Sequence, residues 1–319
     1  MLDRLTAAID RHHTEPGAGS AVPRLSLVSV DEPIEPTGLL YEPMICFVSD
    51  GAKRTTAGDV SQVAHAGEML MTTIDLPVAV RLDKVPYRSA VLSIDGAALA
   101  GLLVEVDETD PAAPATPVAP TAPAALTGQA APTGQVAAPM PPELVEAVAR
   151  WVELLDTPED IRPLAPRIES EILYRLLRGS LGPALRQCAQ DDSPAGRVRQ
   201  AARWICEHYT EPVSIAAIAA SAQMSPASLH RHFKAATGMS PLTYQKRLRL
   251  QEARRRLVAG ATANQAAQAV GYVSATQFNR EYRTAYGLPP ARDAARLRTG
   301  PRPLPLDPPG PVTHGSLLP

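Results

Sequence analysis

The spacing of apolar residues predicts different secondary structure in successive parts of the chain. Leu2, Leu5 and Ile9 stand at helical spacing within residues 1–13, which predicts a short amphipathic helix. From 22 to 94 the pattern changes to short β-rich runs at 25–30, 44–48 and 87–94, with turn residues at 31–33, 49–51 and 57–59. Short strands punctuated in this way predict a small β-barrel or sandwich, followed by a helix at 96–104.

Residues 143–192 carry two amphipathic helical stripes. Pro163 and Pro166 are expected to separate the two helices, because a proline inside a helix removes a backbone hydrogen bond. Such stripes either pack inside their own domain or form the interface of a homodimer, and the pattern leaves both open. The stripes consist of Leu144, Val148, Trp151 and Leu155 over 143–155, and of Ile168, Ile172 and Leu176 over about 167–177.

Two segments have a composition that opposes folding. Residues 111–142 contain 9 Pro and 11 Ala among 32 residues and no charged side chain, which predicts an extended, mobile insertion at 107–142. The last 20 residues contain 7 Pro, so we expect a disordered tail at 299–319.

A helix-turn-helix pattern occurs twice within residues 197–298, which predict seven helices. In the first copy Ser214 begins one helix, Gln223-Met224 forms a turn, Ser225-Pro226 opens a second helix, and Gly238 ends it. About 49 positions later Thr262, Gly271-Tyr272, Ser274 and Gly287 repeat the same signals. Each second helix has two apolar residues on one face, and these are Leu229 with Phe233 and Phe278 with Tyr282.

Charge and side-chain chemistry make this duplicated pattern a candidate DNA-binding domain. Residues 197–298 hold 16 Lys and Arg against 5 Asp and Glu, a net charge of +11, whereas the rest of the chain carries −13. Either a solvated helical surface or a DNA-binding face would produce this split. Arginine recognises guanine, Gln and Asn recognise adenine, and a small residue fits beside a thymine methyl. The candidates for base contact include Ala227, Ser228, His230, Arg231, Ala275, Gln277, Asn279 and Arg280, and those for backbone contact are Lys234, Lys246, Arg247 and Arg249.

Other classes of protein find less support. No apolar run is long enough to span a membrane, and the charged N-terminus is unlike a secretion signal. The barrel region has His65 and Glu68 but no second His nearby, so we expect no metal, no cofactor and no catalytic residues. Cys46 and Cys206 are expected to be small buried side chains. Cys46 is nevertheless the one candidate for effector binding, as a thiol that reacts with an electrophile.

Two stretches in the basic segment, FKAATGMSPLTYQKRLRLQEARRRL and VGYVSATQFNREYRTAYGLPP, resemble the double helix-turn-helix of the AraC/XylS family of bacterial transcription regulators. Upstream, LYEPMICFVSDGAKR, AGEMLMTTIDLPV and LLDTPEDIRPLAPRIESEILYRLLRG resemble a subgroup with a cupin-like sensory domain, here at 1–106. The resemblance implies an α+β, two-domain fold. It adds Thr276 to the base-facing residues.

The resemblance also implies a function. It predicts a cytoplasmic regulator of neighbouring genes, with double-stranded DNA and RNA polymerase as partners and a small-molecule effector in the barrel. The family suggests an activator, but the sequence leaves activation and repression both open. Two alternatives remain, a metal-dependent cupin enzyme with an appended basic domain and a protein that binds DNA without sequence preference.

Overall fold

In a computed structural model of the 319-residue chain we describe residues 1–13, 20–34, 36–109, 134–190 and 192–299. The N-terminal part is built on one sheet with helices packed against it, and the C-terminal part is entirely helical. This confirms the predicted α+β class. Within the described ranges, no helix is both long and apolar enough to cross a bilayer.

The sheet has seven antiparallel strands among the described residues. Five of them follow the order β1-β6-β3-β5-β7, while β2 pairs with the first part of β6 and β4 with the last part of β3. The two end strands of that order, β1 and β7, do not pair with each other. The sheet is therefore open, and the prediction of a barrel needs this correction. The strands are β1 (Leu25–Val30), β2 (Thr37–Tyr41), β3 (Met44–Ala57), β4 (Val60–His65), β5 (Glu68–Thr72), β6 (Leu76–Ser93) and β7 (Gln135–Pro139).

Residues 49–51 do not end a strand, contrary to the sequence prediction. They lie inside β3, where the pairing with β6 shifts register between Val48 and Asp50, again before Ala52, and again before Lys53. Gly51 adopts a φ of +77°, and its amide donates to the Asp50 carboxylate at 2.7 Å. The turn-forming residues thus bend a continuous strand, as bulges do.

The segment predicted as an insertion is partly ordered. Gln135–Pro139 forms β7, which pairs along β5 from Glu68 to Thr72. An unpaired edge of a sheet offers a row of donors and acceptors, and β7 fills this one with its single proline at its end. Residues 110–133 and 300–319, where mobility is predicted, lie outside the described residues.

Helices pack on one face of the sheet. They are α1 (Leu2–His12), α2 (Gly96–Thr109), α3 (Pro142–Glu153), α4 (Pro158–Arg178) and α5 (Gly182–Cys188), with a 3-10 turn at Leu154–Asp156. Leu144, Val148 and Trp151 are fully buried in the core of this chain, so this stripe packs within its own domain.

The two prolines expected to separate helices lie inside α4. Pro163 and Pro166 are both exposed, so the carbonyls that they leave without an amide partner stay close to water. Helix α4 therefore begins earlier than predicted, at Pro158, whose position in the first turn suits proline.

The C-terminal domain has the seven predicted helices within 192–299, all of which is described. They are α6 (Pro194–His208), α7 (Ile215–Ser221), α8 (Pro226–Thr237), α9 (Pro241–Val258), α10 (Ala263–Ala269), α11 (Ala275–Tyr286) and α12 (Pro290–Thr299). We call α7 with α8 the first unit and α10 with α11 the second unit.

The first unit and the sheet share one apolar core. The sheet face opposite α1 and α3, here called the inner face, includes Cys46, Val48 and Tyr87. Its apolar side chains form one cluster with residues of α6, α7, α8 and the first half of α9. The second unit has a cluster of its own with the second half of α9.

Polar contacts also join the sheet to the helical domain. The Tyr244 hydroxyl donates to the Asp75 carbonyl at 2.5 Å, and the Gln251 amide donates to the Val78 carbonyl at 2.9 Å. In addition, Gly58 in the β3–β4 turn approaches Gly238 so closely that a Cβ on Gly58 would stand 2.6 Å from the Gly238 carbonyl oxygen.

Candidate nucleic-acid interface

Helix α8 is fixed by its ends and by its apolar face. The Ser225 hydroxyl accepts from the Ser228 amide at 3.2 Å, and Gly238 ends the helix with a φ of +70°. Leu229 and Phe233 are fully buried. The residues that remain exposed are the predicted Ala227, His230, Arg231 and Lys234, while Ser228 is half-buried.

Helix α11 repeats this arrangement. Ser274 caps it through the Gln277 amide at 3.3 Å, and Gly287 ends it with a φ of +75°. Phe278 and Tyr282 are buried against the second cluster. The predicted base-facing residues of this helix are all exposed, and they are Ala275, Thr276, Gln277, Asn279 and Arg280.

Each unit has a tight turn between its two helices, and a residue with positive φ makes that turn. Gln223 adopts a φ of +52° in the first unit, and Gly271 a φ of +81° in the second. A side chain at Gly271 would overlap the Thr210 carbonyl, so the backbone of the second turn lies directly against the loop after α6. The position needs glycine both for its φ and for this contact.

An acidic residue that the sequence interpretation passed over orders the surface of α11. The Glu281 carboxylate accepts from the side-chain amide of Gln277 at 3.1 Å and from the Tyr272 hydroxyl at 2.8 Å. Burial and the bond to Glu281 raise the pKa of Tyr272, so this hydroxyl stays protonated and keeps donating. Its spacing of four from Gln277 was the available signal, because such pairs meet on one helix face.

A second missed residue, Asp293 at the start of α12, holds α9, α11 and α12 together. Its side chain is fully buried, and it accepts from Arg254 at 2.7 and 3.2 Å, from the Tyr282 hydroxyl at 2.9 Å and from Arg296 at 3.1 Å. Burial alone would raise the pKa of Asp293, but these donors outweigh it and lower the pKa. Because Tyr282 belongs to α11, the network fixes the orientation of that helix.

The four predicted backbone-contact residues differ in what their side chains do. Lys234 and Lys246 are exposed, and Arg247 is half-buried. Arg249 is also half-buried, and its guanidinium donates to the carbonyls of Tyr209 at 2.5 Å, Glu211 at 2.8 Å and Gly271 at 3.3 Å. The structure thus gives Arg249 three backbone partners within the protein, next to the turn of the second unit.

The exposed face of α8 also borders the sheet domain. Ala227, His230, Arg231 and Lys234 line an open depression of about 620 Å³ together with Val60, the first residue of β4. The β3–β4 turn therefore stands beside the residues predicted to face bases. Helix α9, 18 residues or about 27 Å long, links the two units.

Comparison with protein families decides the family. The family described as AraC-type transcriptional regulator N-terminus matches residues 21–184, just over half of the chain. The chain belongs to the AraC-type transcriptional regulators. A helix-turn-helix domain family matches residues 218–296 of this AraC-type chain, which covers nearly all of both units.

Individual relatives agree with this assignment. The chain is similar to the transcriptional activator RhaS of Pectobacterium carotovorum subsp. carotovorum (strain PC1), with 34% identity over 110 residues. It is also similar to the probable thc operon regulatory protein of Rhodococcus erythropolis, with 30% identity over 156 residues. The matches cover 33 and 46% of this AraC-type chain, and it spans only 39 and 46% of those relatives.

A solved structure resembles the whole fold. Wild-type ToxT from Vibrio cholerae strain SCE256, bound to an unsaturated fatty acid, superposes with a TM-score of 0.50 at 10% identity. The superposition covers 88% of this AraC-type chain and 96% of ToxT. At that identity the likeness concerns the fold, a sheet domain followed by a helical domain.

Cys46, the predicted effector residue, lies in the core and not among the exposed residues of α8 and α11. It is fully buried on the inner face of the sheet, where its Sγ stands 3.0 Å from Lys53 Nζ. Cys206, in α6, is half-buried, and its desolvation raises its pKa to about 12. Among the described residues no group of three His, Cys, Asp or Glu side chains is placed to hold a metal ion.

Proposed function

We propose that this chain is a sequence-specific DNA-binding regulator of transcription, in which α8 and α11 contact base edges. The observation that carries the proposal is the repeated arrangement of the two helices, each capped, each buried through two large apolar residues, and each exposing an arginine. A protein that binds DNA through phosphates alone needs only basic surface, not exposed Gln, Asn and Arg on two equivalent helices.

The side chains divide into three roles under this proposal. The exposed residues of α8 and α11 contact bases, with Arg231 and Arg280 as the strongest candidates for guanine. Lys234, Lys246 and Arg247 contact phosphates and set the register. Arg249 positions the second unit instead, because three of its N–H donors bond to backbone carbonyls beside that unit.

The wider roles are proposals of the same kind. RhaS is described as a transcriptional activator, which favours activation, and hence contact with RNA polymerase, for this chain. ToxT was solved with a fatty acid, which favours a small-molecule effector in the sheet domain. We propose a cytoplasmic, non-catalytic protein, and a homodimer through the N-terminal helices stays a prediction that sedimentation with and without DNA would test.

The experiment begins with selection of bound sites from fragmented genomic DNA, followed by titration of one selected site with variants. Arg280→Ala should cost about 1–3 kcal/mol and relax the preference at one base pair. Arg292→Ala, an exposed arginine of α12, is the matched control and should keep the base preference. Unchanged affinity and selectivity in Arg280→Ala would refute the role of α11, and equal binding of random DNA would refute sequence specificity.

A further inference from the structure

A cluster of polar side chains lies on the inner face of the sheet, away from the proposed DNA contacts. Lys53 is at its centre and is only 4% exposed. Its Nζ lies 3.0 Å from Cys46 Sγ, and 5.4 and 5.9 Å from the ring centroids of Tyr41 and Tyr87. The Tyr87 hydroxyl is in turn 3.5 Å from Cys46 Sγ. An ammonium group is thus enclosed by a thiol and two aromatic rings.

The bend in β3 creates this cluster. Seven residues of straight strand would separate Lys53 from Cys46 by about 23 Å. The three register shifts between Val48 and Lys53 bend the strand while it stays paired with β6, and the Lys53 side chain reaches Cys46 on the inner face. Thr55 follows Lys53 on this face and is also fully buried.

The charge of Lys53 faces a thiol and two phenols rather than a carboxylate. Within the described part of the chain, the groups that act on its pKa are Cys46, Tyr41 and Tyr87, with no carboxylate among them. Burial alone would lower the pKa of Lys53, but these three groups outweigh it and raise the pKa, so the amine stays charged. Burial alone would raise the pKa of the Cys46 thiol, but Lys53 and Tyr87 outweigh it and lower that pKa. The thiol is therefore the group that balances the charge of Lys53 when no ligand is bound, and a carboxylate, which is already ionised at neutral pH, would balance it better.

Three buried hydroxyl groups in the same region make no well-formed hydrogen bond to the described residues, and they are Tyr41 Oη, Thr55 Oγ1 and Ser89 Oγ. Tyr41 lies beside Lys53 and Thr55, and Ser89 lies beside Cys46 and Tyr87, so the hydroxyls surround the ammonium group and the thiol. Buried polar atoms are paired in most native proteins, so these loosely paired hydroxyls at one cation are available to an acceptor. The neighbouring side chains of the inner face are apolar, and Val48 and Val91 are among them.

We propose that this cluster is the binding site for a small carboxylate with an apolar body. Lys53 pairs with the carboxylate, which arrives already ionised, and the hydroxyls of Tyr41, Thr55 and Ser89 donate to its oxygens. The apolar body lies among the aliphatic side chains of the inner face. For its effect on DNA binding, this inference rests on the proposed function, since it names the chemical class of the effector.

The same residues have a short path to the DNA-binding domain. Tyr41 is the last residue of β2, and a Cβ on Gly38 of β2 would stand 2.9 Å from Gln251 Cγ on α9. A ligand that displaces Tyr41 therefore moves a strand in direct contact with α9. That helix carries Lys246 and joins the two units.

Calorimetry on the full chain tests the site with two matched sets of probes, phenylacetate with 2-phenylethanol and 2-phenylethylamine, and hexanoate with hexan-1-ol and hexylamine. We expect a carboxylate to bind and to raise the melting temperature, while its neutral and cationic analogues do not. Lys53→Met should weaken that binding at least about tenfold, whereas Lys84→Met, on the exposed side of β6, should not. Absence of binding by both carboxylates, or equal binding of an alcohol, would overturn the proposal.

Stability without ligand gives an independent result. Lys53→Met and Thr55→Val each remove a buried polar group that lacks its proper partner, so both should melt above the wild type. Thr55→Val keeps the shape of the side chain and should also weaken carboxylate binding, which serves as the test if Lys53→Met does not fold. If both variants melt below Lys84→Met, Lys53 is held by a Cys46 thiolate and the site is structural.

The DNA arm separates the two proposals. Without ligand, Lys53→Met should bind the selected DNA site like the wild type, and the carboxylate should change only wild-type binding. Failure of the wild type to bind DNA would refute the proposed function, but carboxylate binding measured by calorimetry would still support the ligand site. Carboxylate binding that leaves DNA affinity unchanged would refute the effector role.

Discussion

Replacement of Asp293 by alanine should release α11 from the rest of the second unit. The carboxylate is fully buried and accepts four hydrogen bonds, two of them from Arg254, whose side chain is 13% exposed. Removing one member of a buried ion pair leaves the other charge without compensation, which costs about 3–5 kcal/mol. We therefore expect Asp293→Ala to destabilise α11 and α12 by about 3 kcal/mol or more.

Hydrogen exchange read by mass spectrometry is the suitable assay, because both tryptophans, Trp151 and Trp204, lie outside the second unit. A loss of about 3 kcal/mol should speed amide exchange in α11 and α12 roughly a hundredfold. Exchange in α8 should change little. DNA affinity should fall as well, because the reading face of α11 loses its fixed orientation.

Asp83 provides the matched control. It also binds two arginines, Arg54 at 2.6 Å and Arg81 at 2.8 Å, but this group of charges lies on the surface of the sheet. Exposed ion pairs contribute about 1 kcal/mol or less, so Asp83→Ala should leave α11 unaffected. Equal protection of α11 in the two variants would show that the Asp293 network does not orient the helix.

Three further predictions concern the same domain. Because the pKa of Asp293 is lowered in the folded protein, its stabilising effect is present above about pH 4 and is lost as the pH falls through the folded-state pKa. Acid should therefore speed hydrogen exchange in α11 of the wild type. The same change of pH should add little in Asp293→Asn. Gly271→Ala should lower the free energy of unfolding by about 1–3 kcal/mol in denaturant titration, because its Cβ would clash with Thr210. Gly260 has a φ of +105° but no atom near the place of a Cβ. A similar loss in Gly260→Ala would therefore show that backbone strain alone is responsible. Lys246→Ala should weaken binding to all DNA sequences alike and reduce the salt dependence of binding by about one charge, as measured by filter binding. Arg249→Ala should instead lower the stability of the protein. The reverse pattern would exchange the roles given to these two residues.

Local signals in the sequence were sufficient for the helical domain. Ser225, Ser274 and Gly238 have the capping roles that their residue types predict, and the paired apolar residues are buried as expected. These features depend on neighbours within one or two helical turns, so the printed sequence contains them.

Features that depend on distant partners were not predictable in the same way. Strand β7 exists because β5 has an open edge, and nothing in the Pro/Ala-rich composition around it indicates that edge. Lys53 lies between the buried Ala52 and the half-buried Arg54, and the alternation of residue types alone does not tell which face of the strand is buried. Asp293 reads as an ordinary first-turn acid, and only packing makes it the centre of a network.

The apolar cluster shared by the sheet and the first unit has a consequence for how the chain comes apart. We expect the first unit to unfold together with the sheet, whereas the second, with its separate interior, should be able to unfold by itself. A truncated protein starting near residue 192 would lack the sheet residues of the cluster to which Ile205 and Phe233 belong. The natural place to cut this molecule therefore falls along α9, inside the helical domain rather than at its beginning.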